Sequence, residues 1–527
     1  LLAILWVLTL TWGERRTFPS HINPCAWHNW ETWPQDSKPH HILVISDPQL
    51  VDPHTYPGRP WPLSALTVAY TDRYMTRAFR GLNKNLDPDS VIFLGDLLDG
   101  GREWATEKIR MDGVAKRSVG SYRQALAAPH KERVRKEDHF LDEKGRDIKE
   151  FVHGEGGRWA KWGQRQWDRD YARLGNIFFS PEQMYPDADR KAVPYKEVVT
   201  KEFNVLNGAE MVSDMEYATF GRKQRRMLTS LPGNHDVGFG KGVQLAVRDR
   251  FLSRFGETNR VDVIGNHTFV SLDTPSLSAA GQFQLRGGES TTEDIEAGKH
   301  IWEPTMGFLE GLKGAVDGEV GRVVGEFYSR ERRKFEHRVV GASRGGDGGG
   351  RRDATAPELP VVLLTHIPLY REPGTKCGPL RERGTSISIS GGYQYQNVVT
   401  KTLSQTIVSK VAEAGDLVQV FSGDDHDYCD VRHSHNGKTF REITVKSFSW
   451  AMGVRVPAVQ LLSLWNPVDE HGKTIGTPLP TIQTRMCLLP DQLGIFIVYA
   501  KVLGFTVVIL LLRVAVVGFL ETDTQEE

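Results

Sequence analysis

Potential metal-binding chemistry is most concentrated in residues 421–430, which read FSGDDHDYCD and begin at the end of a short apolar run. This segment places one histidine among four aspartates. Carboxylates this close repel one another unless a cation lies between them. The segment therefore indicates either a bound metal ion or a solvated loop, and the rest of the sequence has to distinguish the two.

Four other short motifs also place metal-capable side chains directly after an apolar run. Carboxylate and amide oxygens and imidazole nitrogens are the atoms that divalent cations bind in proteins. One motif of this kind is a weak signal, whereas five along one chain favour a shared metal site. The four are Asp47-Pro48-Gln49, Gly95-Asp96-Leu97-Leu98-Asp99, Gly233-Asn234-His235-Asp236 and Thr365-His366.

The apolar runs before these motifs predict β-strands, and the stretch 63–86 between the first two predicts an amphipathic helix. The first two runs and this helix form a βαβ unit. Open α/β sheets bind ligands at the carboxyl ends of their strands, so the motifs are expected to meet there. Further strands are predicted over 440–448 and 459–465. The five runs cover residues 41–45, 91–94, 227–231, 361–364 and 417–421.

The size and charge of the chain limit its class. At 527 residues it exceeds the length at which a single hydrophobic core stops growing, so one large domain with additions, or two domains, are expected. Its 66 lysines and arginines balance 66 aspartates and glutamates. Since a phosphate backbone is bound through clustered excess positive charge, nucleic acid is not an expected partner.

Apolar segments lie near both ends of the chain. Residues 493–520 are long enough to cross a bilayer as a transmembrane helix, since about 20 helical residues span its hydrocarbon core. A buried core helix is the alternative. Lys501 and Arg513 interrupt the segment, but long basic side chains reach toward a membrane interface. Residues 1–12 are interpreted as a truncated N-terminal membrane or signal-anchor segment, or as an uncleaved remnant.

Between these segments, the predicted α/β domain covers residues 40–470. It contains a charged, partly helical insertion or cap over 105–196. It also contains a low-complexity loop over 344–356, which is predicted to be flexible.

In their order along the chain, the five motifs resemble the calcineurin-like metallophosphoesterase superfamily, whose pattern is D-x-H, G-D-x-x-D, G-N-H-D/E, H and G-H-x-H. The wider sequence is similar to its membrane-bound eukaryotic branch, which trims ethanolamine phosphate from glycosylphosphatidylinositol (GPI) anchors in the early secretory pathway. This resemblance implies an α/β fold, a four-layer α/β/β/α sandwich. It rests on SDPQLVDPHTYPGRPWPL, FLGDLLDGGREW, LPGNHDVGFG, NRVDVIGNHTFVSLDT, GGYQYQN and FSGDDHDYC.

The resemblance also implies two divalent metal ions. Two ions about 3.5–4 Å apart polarise a phosphoryl oxygen and lower the pKa of a shared water. His235 is then the expected general acid or electrostatic stabiliser beside the leaving oxygen, oriented by Asp99. The implied ligands of one ion are Asp47, Gln49, Asp96 and His426, and those of the other are Asp96, Asn234, His366 and Asp424.

The sequence departs from the superfamily pattern at Gln49 and Asp424, where the pattern has histidines. The implied set then has five oxygen donors and two imidazoles, which suits manganese better than zinc; zinc and iron are the alternatives. The two cations would supply about four positive charges, which would make the aspartate-rich turn tolerable. Asp425 or Asp427 could replace Asp424 as the ligand, because the spacing does not separate them.

Substrate contacts are predicted from position alone. His54 and Tyr56 follow the first strand and are expected to face the site, and Tyr393 and Tyr395 are further candidates. Aromatic faces attract ammonium groups such as that of ethanolamine, although packing is the alternative role for each residue. Arg102 is a candidate phosphate contact.

The resemblance implies a phosphodiesterase in the membrane of the endoplasmic reticulum or the Golgi, with a lumenal catalytic domain and a lipid-linked glycan, the GPI anchor, as substrate. Two other interpretations stay open: a catalytically silent membrane scaffold for cargo sorting, and a cytosolic phosphatase of phosphoproteins or nucleotides. Arg15 and Arg16 favour the cytosol through the positive-inside rule. The sequon at Asn266 agrees with a lumen, as would a bond between Cys377 and Cys429, although either cysteine could be free.

Overall fold

The fold is described by a computed structural model. The structure describes residues 1–35, 37–56, 58–104, 163–180, 183, 226–284, 292–336, 359–382, 398–468 and 480–526. The predicted flexible loop over 344–356 lies outside the described residues, as does most of the predicted insertion over 105–196.

The strands of the described residues form two sheets. They are β1 His40–Ile45, β2 Ser90–Phe93, β3 Arg226–Leu228, β4 Arg260–Ile264, β5 His267–Leu272, β6 Val361–Thr365, β7 Leu417–Ser422, β8 Cys429–His435, β9 Lys438–Thr444, β10 Ala458–Leu464 and β11 Ile482–Leu488. One sheet has the order β11-β10-β1-β2-β3 and the other β4-β5-β6-β7-β9-β8. Strands β1, β2 and β3 run parallel, as do β5, β6, β7 and β9, so each sheet gathers several carboxyl ends at one edge.

The helices cover the outer faces of the sheets and form both ends of the described chain. They are α1 Leu2–Thr11, α2 Thr17–Ile22, α3 Leu63–Leu86, α4 Gly163–Phe178, α5 Asn234–Val237, α6 Leu245–Phe255, α7 Thr274–Gln284, α8 Thr292–Glu310, α9 Leu312–Glu336, α10 Lys401–Ala414 and α11 Gln492–Glu526. A π-helical turn, Trp12–Arg16, joins α1 to α2. Short 3-10 turns cover Asn23–Cys25, Trp27–Asn29, Gly240–Gly242 and Trp450–Met452.

The two sheets pack face to face, and alternation along β1 shows how the sequence builds this core. Ile42 and Val44 are buried among residues of the second sheet, whereas Leu43 and Ile45 are buried among the helices. Side chains of a strand alternate between the faces of its sheet, so each strand contributes to two cores. Helices α3, α4 and α6 cover the first sheet, and α9 and α10 cover the second. The predicted four-layer sandwich is confirmed.

The predicted βαβ unit is present as β1, α3 and β2. Helix α3 has the predicted bounds, and Met75, Phe79 and Leu82 share one face that is buried against the sheet. It ends at Asp87, whose φ of +43° is left-handed and stops the helical path. From the predicted insertion, α4 is described and packs into the same core.

Two strands end earlier than predicted. The run 227–231 forms a strand only as far as Leu228, which pairs with Ile92, one residue before β2 ends at Phe93. The run 440–448 leaves the sheet after Thr444, whose partner Ser422 is the last residue of β7. In both places the chain passes the end of its partner strand, and this frees the following residues to form the site.

All four cysteines of the chain are paired. One bond joins Cys377 to Cys429, the pairing that the sequence left open. The other joins Cys25 to Cys487, 462 positions apart, and was not predicted. The first bond fixes the loop after β6 to the aspartate-rich turn. The second fixes the N-terminal segment to β11, the strand that leads into α11.

We expect replacement of Cys377 and Cys429 by alanine to lower the free energy of unfolding by about 2–5 kcal/mol, because the bond closes a long loop of the unfolded chain. The melting temperature of the full chain in detergent, followed with and without reductant, measures this effect. The parent should melt at a lower temperature under reductant. A double variant that melts like the oxidised parent would contradict the pairing.

Among the described residues, one helix is long and apolar enough to cross a membrane. Its candidate span is Gln492–Gly518 within α11, with a mean hydropathy of 2.6 and only 6% of the window buried. Helix α1 lies beside it, with the Trp6 indole donating to the Thr506 hydroxyl at 3.0 Å. The Tyr499 hydroxyl donates to Glu14, which also pairs with Arg77 of α3. The apolar end segments therefore pack together next to the sandwich.

Candidate metal centre

The predicted ligands come together where the strands of both sheets end. Asp47 follows β1, Asp96 lies three residues after β2, and Asn234 begins α5 after β3. His366 directly follows β6, and Asp424 lies two residues after β7. These five side chains are buried, as is Gln49, whereas His426 is partly exposed. The site thus lies at the edge where the two sheets meet.

His366 stands at the centre of one predicted ligand group. Its Nε2 atom lies 3.0 Å from Asn234 Oδ1, 3.4 Å from Asp96 Oδ1 and 3.7 Å from Asp424 Oδ1. Its Nδ1 atom donates to the Leu94 carbonyl at 2.7 Å. This bond fixes the ring so that Nε2 faces the oxygens, which is the usual arrangement of a metal-binding histidine.

The other predicted group surrounds Asp47. His426 Nε2 lies 3.8 Å from Asp47 Oδ1, and its Nδ1 atom contacts the Met452 carbonyl at 3.1 Å, so this ring is oriented in the same way. Gln49 Nε2 donates to Asp96 Oδ2 at 2.7 Å. Asp96 therefore contacts members of both groups. Potential ligand atoms of Asp47, Asp96 and His366 all lie within 4.8 Å of one another.

The chemistry of these donors fits divalent cations. The Gln49 Oε1 atom is buried and accepts no hydrogen bond within the described residues, so this oxygen is available to coordinate a cation. Burial raises the pKa of Asp47 above its ordinary value. Burial alone would lower the pKa of His366, but the nearby carboxylates, Asp96 above all, raise it to about 10. The pocket thus strongly favours positive charge.

Backbone strain concentrates at the same residues. Eight non-glycine residues of the described chain have a positive φ, and five of them are predicted ligands: Asp47, Gln49, Asp96, Asp424 and His426. Such conformations cost energy and persist mainly where the surroundings or a function require them. A Cβ atom at Gly233 would overlap the Asp96 carboxylate, so the adjoining turn needs glycine. These strained backbone conformations direct several donor side chains toward the same site.

The four aspartates of the 421–430 segment have different partners. Asp425 is fully buried between Arg371 and Arg381, at 3.1 and 2.7 Å. Asp427 lies 3.3 Å from Lys446, and Asp430 pairs with Arg441. Asp424 alone of the four contacts His366. Protein cations therefore balance three of these carboxylates, and of the three candidate ligands in this turn only Asp424 faces the site.

We expect Asp425→Asn to destabilise the protein and Asp424→Asn to remove metal. Asparagine at 425 would leave Arg371 and Arg381 buried with their carboxylate partner lost, at a cost of about 3–5 kcal/mol. Melting temperature and metal content of the two full-length variants measure the difference. Asp416→Asn, at an exposed ion pair, is the control and should change stability by no more than about 1 kcal/mol. If Asp425→Asn lost metal and Asp424→Asn kept it, Asp425 and not Asp424 would be the ligand.

His235 contacts both Asp99, its predicted orienting partner, and Asp96, and the contact with Asp99 is mainly through the backbone. The His235 Nδ1 atom donates to the backbone carbonyl of Asp99 at 2.8 Å, and the Asp99 carboxylate lies farther away at 3.4 Å. The His235 backbone N–H donates to Asp96 Oδ1 at 2.8 Å. The imidazole is thus tied to the pocket from two directions, and Nε2 is the ring atom left for substrate.

The candidate substrate residues have varied surroundings. His54 Nδ1 lies 3.9 Å from Asp99, and the Tyr56 hydroxyl donates to the Ala451 carbonyl at 3.1 Å. Arg102 donates to the Asn234 carbonyl at 2.9 Å, which places its guanidinium next to a predicted ligand. Tyr393 and Tyr395 lie outside the described residues.

Asp236 has a structural role that the sequence analysis did not assign. Its carboxylate accepts from the backbone N–H groups of Leu97, Leu98 and Gly233 at 2.9–3.1 Å, which joins the loops that carry Asp96 and Asn234. Burial and the Asp96 charge raise its pKa to about 7. Asp236 is visible in the sequence as the last residue of the G-N-H-D motif. The motif alone, however, does not show that the Asp236 carboxylate accepts hydrogen bonds from the backbone.

A scan with models of known protein families found no match. The chain is 30% identical to cell division control protein 1 of Saccharomyces cerevisiae over 495 residues, which cover 93% of this chain and 68% of that protein. It is 30% identical to metallophosphoesterase 1 of Pongo abelii over 187 residues, which cover 34% of this chain and 40% of that protein. A solved dimetal phosphatase from Danio rerio covers 81% of this chain and 94% of its own, at 11% identity and a TM-score of 0.32.

These relatives agree with what the chain itself contains. The match at 30% identity extends over nearly the whole chain, and a second relative carries the metallophosphoesterase name. The motifs that first suggested the superfamily meet in one cluster of mostly buried carboxylate, amide and imidazole side chains where the two sheets meet. The chain therefore belongs to the calcineurin-like metallophosphoesterases and is a metal-dependent phosphoric ester hydrolase.

Proposed function

We propose that this protein is a membrane-anchored phosphodiesterase that removes ethanolamine phosphate from a mannose of GPI-anchor glycans. The observation that carries the proposal is the short path from the metal site to the membrane helix. His426 is held by the carbonyl of Met452, in the turn Trp450–Met452. Trp450 of the same turn packs against Phe496 of α11, with ring centroids 6.1 Å apart. A site so close to a membrane-crossing helix suits a phosphodiester carried on a lipid.

The proposed location is the endoplasmic reticulum or the Golgi, with the catalytic domain in the lumen. Two disulfides that pair every cysteine support an oxidising compartment and count against a cytosolic phosphatase. Glycosylation at the Asn266 sequon is a poor test of whether the catalytic domain lies in the lumen. Its side chain donates to the Asn466 carbonyl at 2.7 Å, and Thr268 is fully buried in β5. The redox state of the cysteines in cells is the better measurement.

The proposed ligand groups stay as the sequence predicts them, with Asp96 shared. One ion would be held by Asp47, Gln49, Asp96 and His426, and the other by Asp96, Asn234, His366 and Asp424. Two divalent cations in this position supply Lewis acidity toward a phosphoryl oxygen and acidify a water. The oxygen-rich donor set supports manganese, as opposed to zinc or iron.

The chain's own residues supply the remaining chemistry. His235 keeps its Nδ1 proton on the Asp99 carbonyl, so its Nε2 atom is available to protonate the mannose oxygen as that oxygen leaves. Arg102 holds the Asn234 turn in place through the Asn234 carbonyl. Leu94 and Met452 keep the two ligand imidazoles oriented, so little rearrangement is needed before reaction.

The test is incubation of the purified full chain in detergent with GPI intermediates and manganese, followed by mass spectrometry of the products. We expect loss of ethanolamine phosphate with the parent and none with Asp96→Asn. Hydrolysis of a simple phosphodiester without this loss would remove the GPI assignment and leave the hydrolase intact. Binding without any hydrolysis, with metal confirmed, would instead support the scaffold interpretation.

A further inference from the structure

Large exposed apolar side chains are concentrated in one segment of the catalytic domain. Outside residues 1–22 and α11, five such side chains are found among the described residues. Four of them lie within ten positions of one another: Trp61, Leu63, Leu66 and Tyr70, which are 81%, 55%, 46% and 41% exposed. We call these four residues the apolar stripe. The fifth, Leu380, is distant in sequence.

Three residues of the apolar stripe lie on one face of α3, and Trp61 lies just before that helix. Leu63, Leu66 and Tyr70 are spaced three and four residues apart, so they share a face at the start of the helix. Arg73 continues this face and lies over the Tyr70 ring, 5.9 Å from its centroid. One turn farther, Arg77 pairs with Glu14. The exposed end of α3 is thus apolar, and its basic continuation contacts the N-terminal segment.

The same face adjoins the membrane helix. The Tyr70 ring meets the ring of Phe496 edge-on, with centroids 5.4 Å apart. Phe496 lies near the start of the candidate span Gln492–Gly518, where that helix leaves the sandwich. The apolar stripe therefore begins where a membrane surface must lie if α11 crosses a bilayer.

We infer that the apolar stripe is seated in the interface of the bilayer that α11 enters. Tryptophan and tyrosine favour this layer, and an amphipathic face lying in it buries apolar side chains between lipid headgroups. Arg59 fits the same surroundings: it stacks on the Tyr56 ring at 3.9 Å and donates to Thr67 of α3, which places a cation beside the stripe for lipid phosphates. The occupant is the lipid surface itself, and no second protein is needed.

This seating would position the active site. The segment between β1 and α3 carries Gln49 at one end and Trp61 at the other, and its Tyr56 hydroxyl bonds to Ala451, beside the Met452 carbonyl that holds His426. Membrane contact at the apolar stripe would therefore fix the distance between the metal site and the bilayer surface. The inference goes beyond the proposed function, since it predicts preference for any phosphoester borne close to a bilayer surface, whatever its glycan.

Photo-crosslinking tests the seating without using catalysis. The full chain is placed in vesicles whose phosphatidylcholine carries a diazirine near the glycerol backbone, irradiated, digested and analysed by mass spectrometry. We expect label in α11, which is the internal positive control, and in peptides covering 61–70, with none in α10 on the far side of the second sheet. Label in α11 together with an unlabelled 61–70 segment would overturn the inference.

Matched variants separate lipid contact from folding. Trp61→Ser with Leu63→Ser and Leu66→Ser should lose the label in 61–70, whereas Trp61→Phe with Leu63→Ile and Leu66→Met should keep it. The serine variant should hydrolyse a bilayer-borne phosphodiester roughly tenfold more slowly or worse, because positioning is lost, while turnover of soluble bis(p-nitrophenyl) phosphate stays at the parent level. Equal loss on both substrates would mean that the stripe supports the fold and not the membrane contact. GPI cleavage plays no part in this test. Absence of GPI cleavage would therefore count against the proposed function and leave the membrane seating of the stripe unaffected.

Discussion

Asp96→Asn is expected to lower kcat/KM for phosphodiesters by roughly a hundredfold to a thousandfold or more, because it removes charge at the position proposed to be shared by both ions. Asp96 contacts His366, Gln49 and the His235 backbone, at 3.4, 2.7 and 2.8 Å. Asparagine keeps the size of the side chain and removes its charge. Asp96 would hold both proposed cations, so without its charge metal content should fall together with turnover.

The measurement combines elemental analysis of the purified full chain with turnover of a soluble phosphodiester. Asp317→Asn, at an exposed ion pair on α9, is the control and should keep both metal and activity. If Asp96→Asn retained two ions per chain and parental turnover, the bridging role would be wrong. Retention of the ions with loss of turnover would restrict Asp96 to a role in the reaction itself.

His235→Ala is expected to lower kcat by roughly 10²- to 10⁴-fold, the usual contribution of a positioned general acid, with metal content unchanged. The His235 imidazole contacts the Asp99 carbonyl, whereas His235 contacts the predicted ligand Asp96 through its backbone N–H. Since His235 is proposed to protonate the leaving oxygen, the loss should be large for a mannose leaving group. It should be small for p-nitrophenolate, which leaves without help.

Comparison of the two leaving groups is therefore the decisive readout for His235. His28→Ala, at an exposed histidine outside the site, is the matched control and should behave as the parent does. An equal loss with both leaving groups would assign His235 to electrostatic stabilisation and exclude proton donation. Loss of metal in His235→Ala would place it among the ligands.

The arrangement of the strand ends could be predicted from the sequence because it depends on local patterns. Apolar runs followed by Asp47, Asp96 and His366 are visible in the chain, and parallel strands bring their carboxyl ends together. The helix over 63–86 was predicted with its observed bounds for the same reason. The division of these residues into two ligand groups came from the resemblance to the superfamily and stays a prediction.

Features that depend on distant contacts could not be predicted. Which aspartate of the 421–430 turn faces the site is decided by Arg371 and Arg381, which lie on another loop and bury Asp425. The Cys25–Cys487 bond joins residues 462 positions apart, and no local pattern indicates it. The amphipathic pattern of α3 likewise does not show that its first turns stay exposed, because this depends on where α11 leaves the sandwich.

Anomalous diffraction from crystals of the full chain grown with manganese tests the central claim most directly. We predict two peaks about 3.5–4 Å apart, with Asp96 in contact with both. Gln49 Oε1 and Asp47 should border the peak next to His426, and Asn234 and Asp424 the peak next to His366. Absence of metal at these residues, or ions held instead by Asp425 or Asp427, would contradict the account.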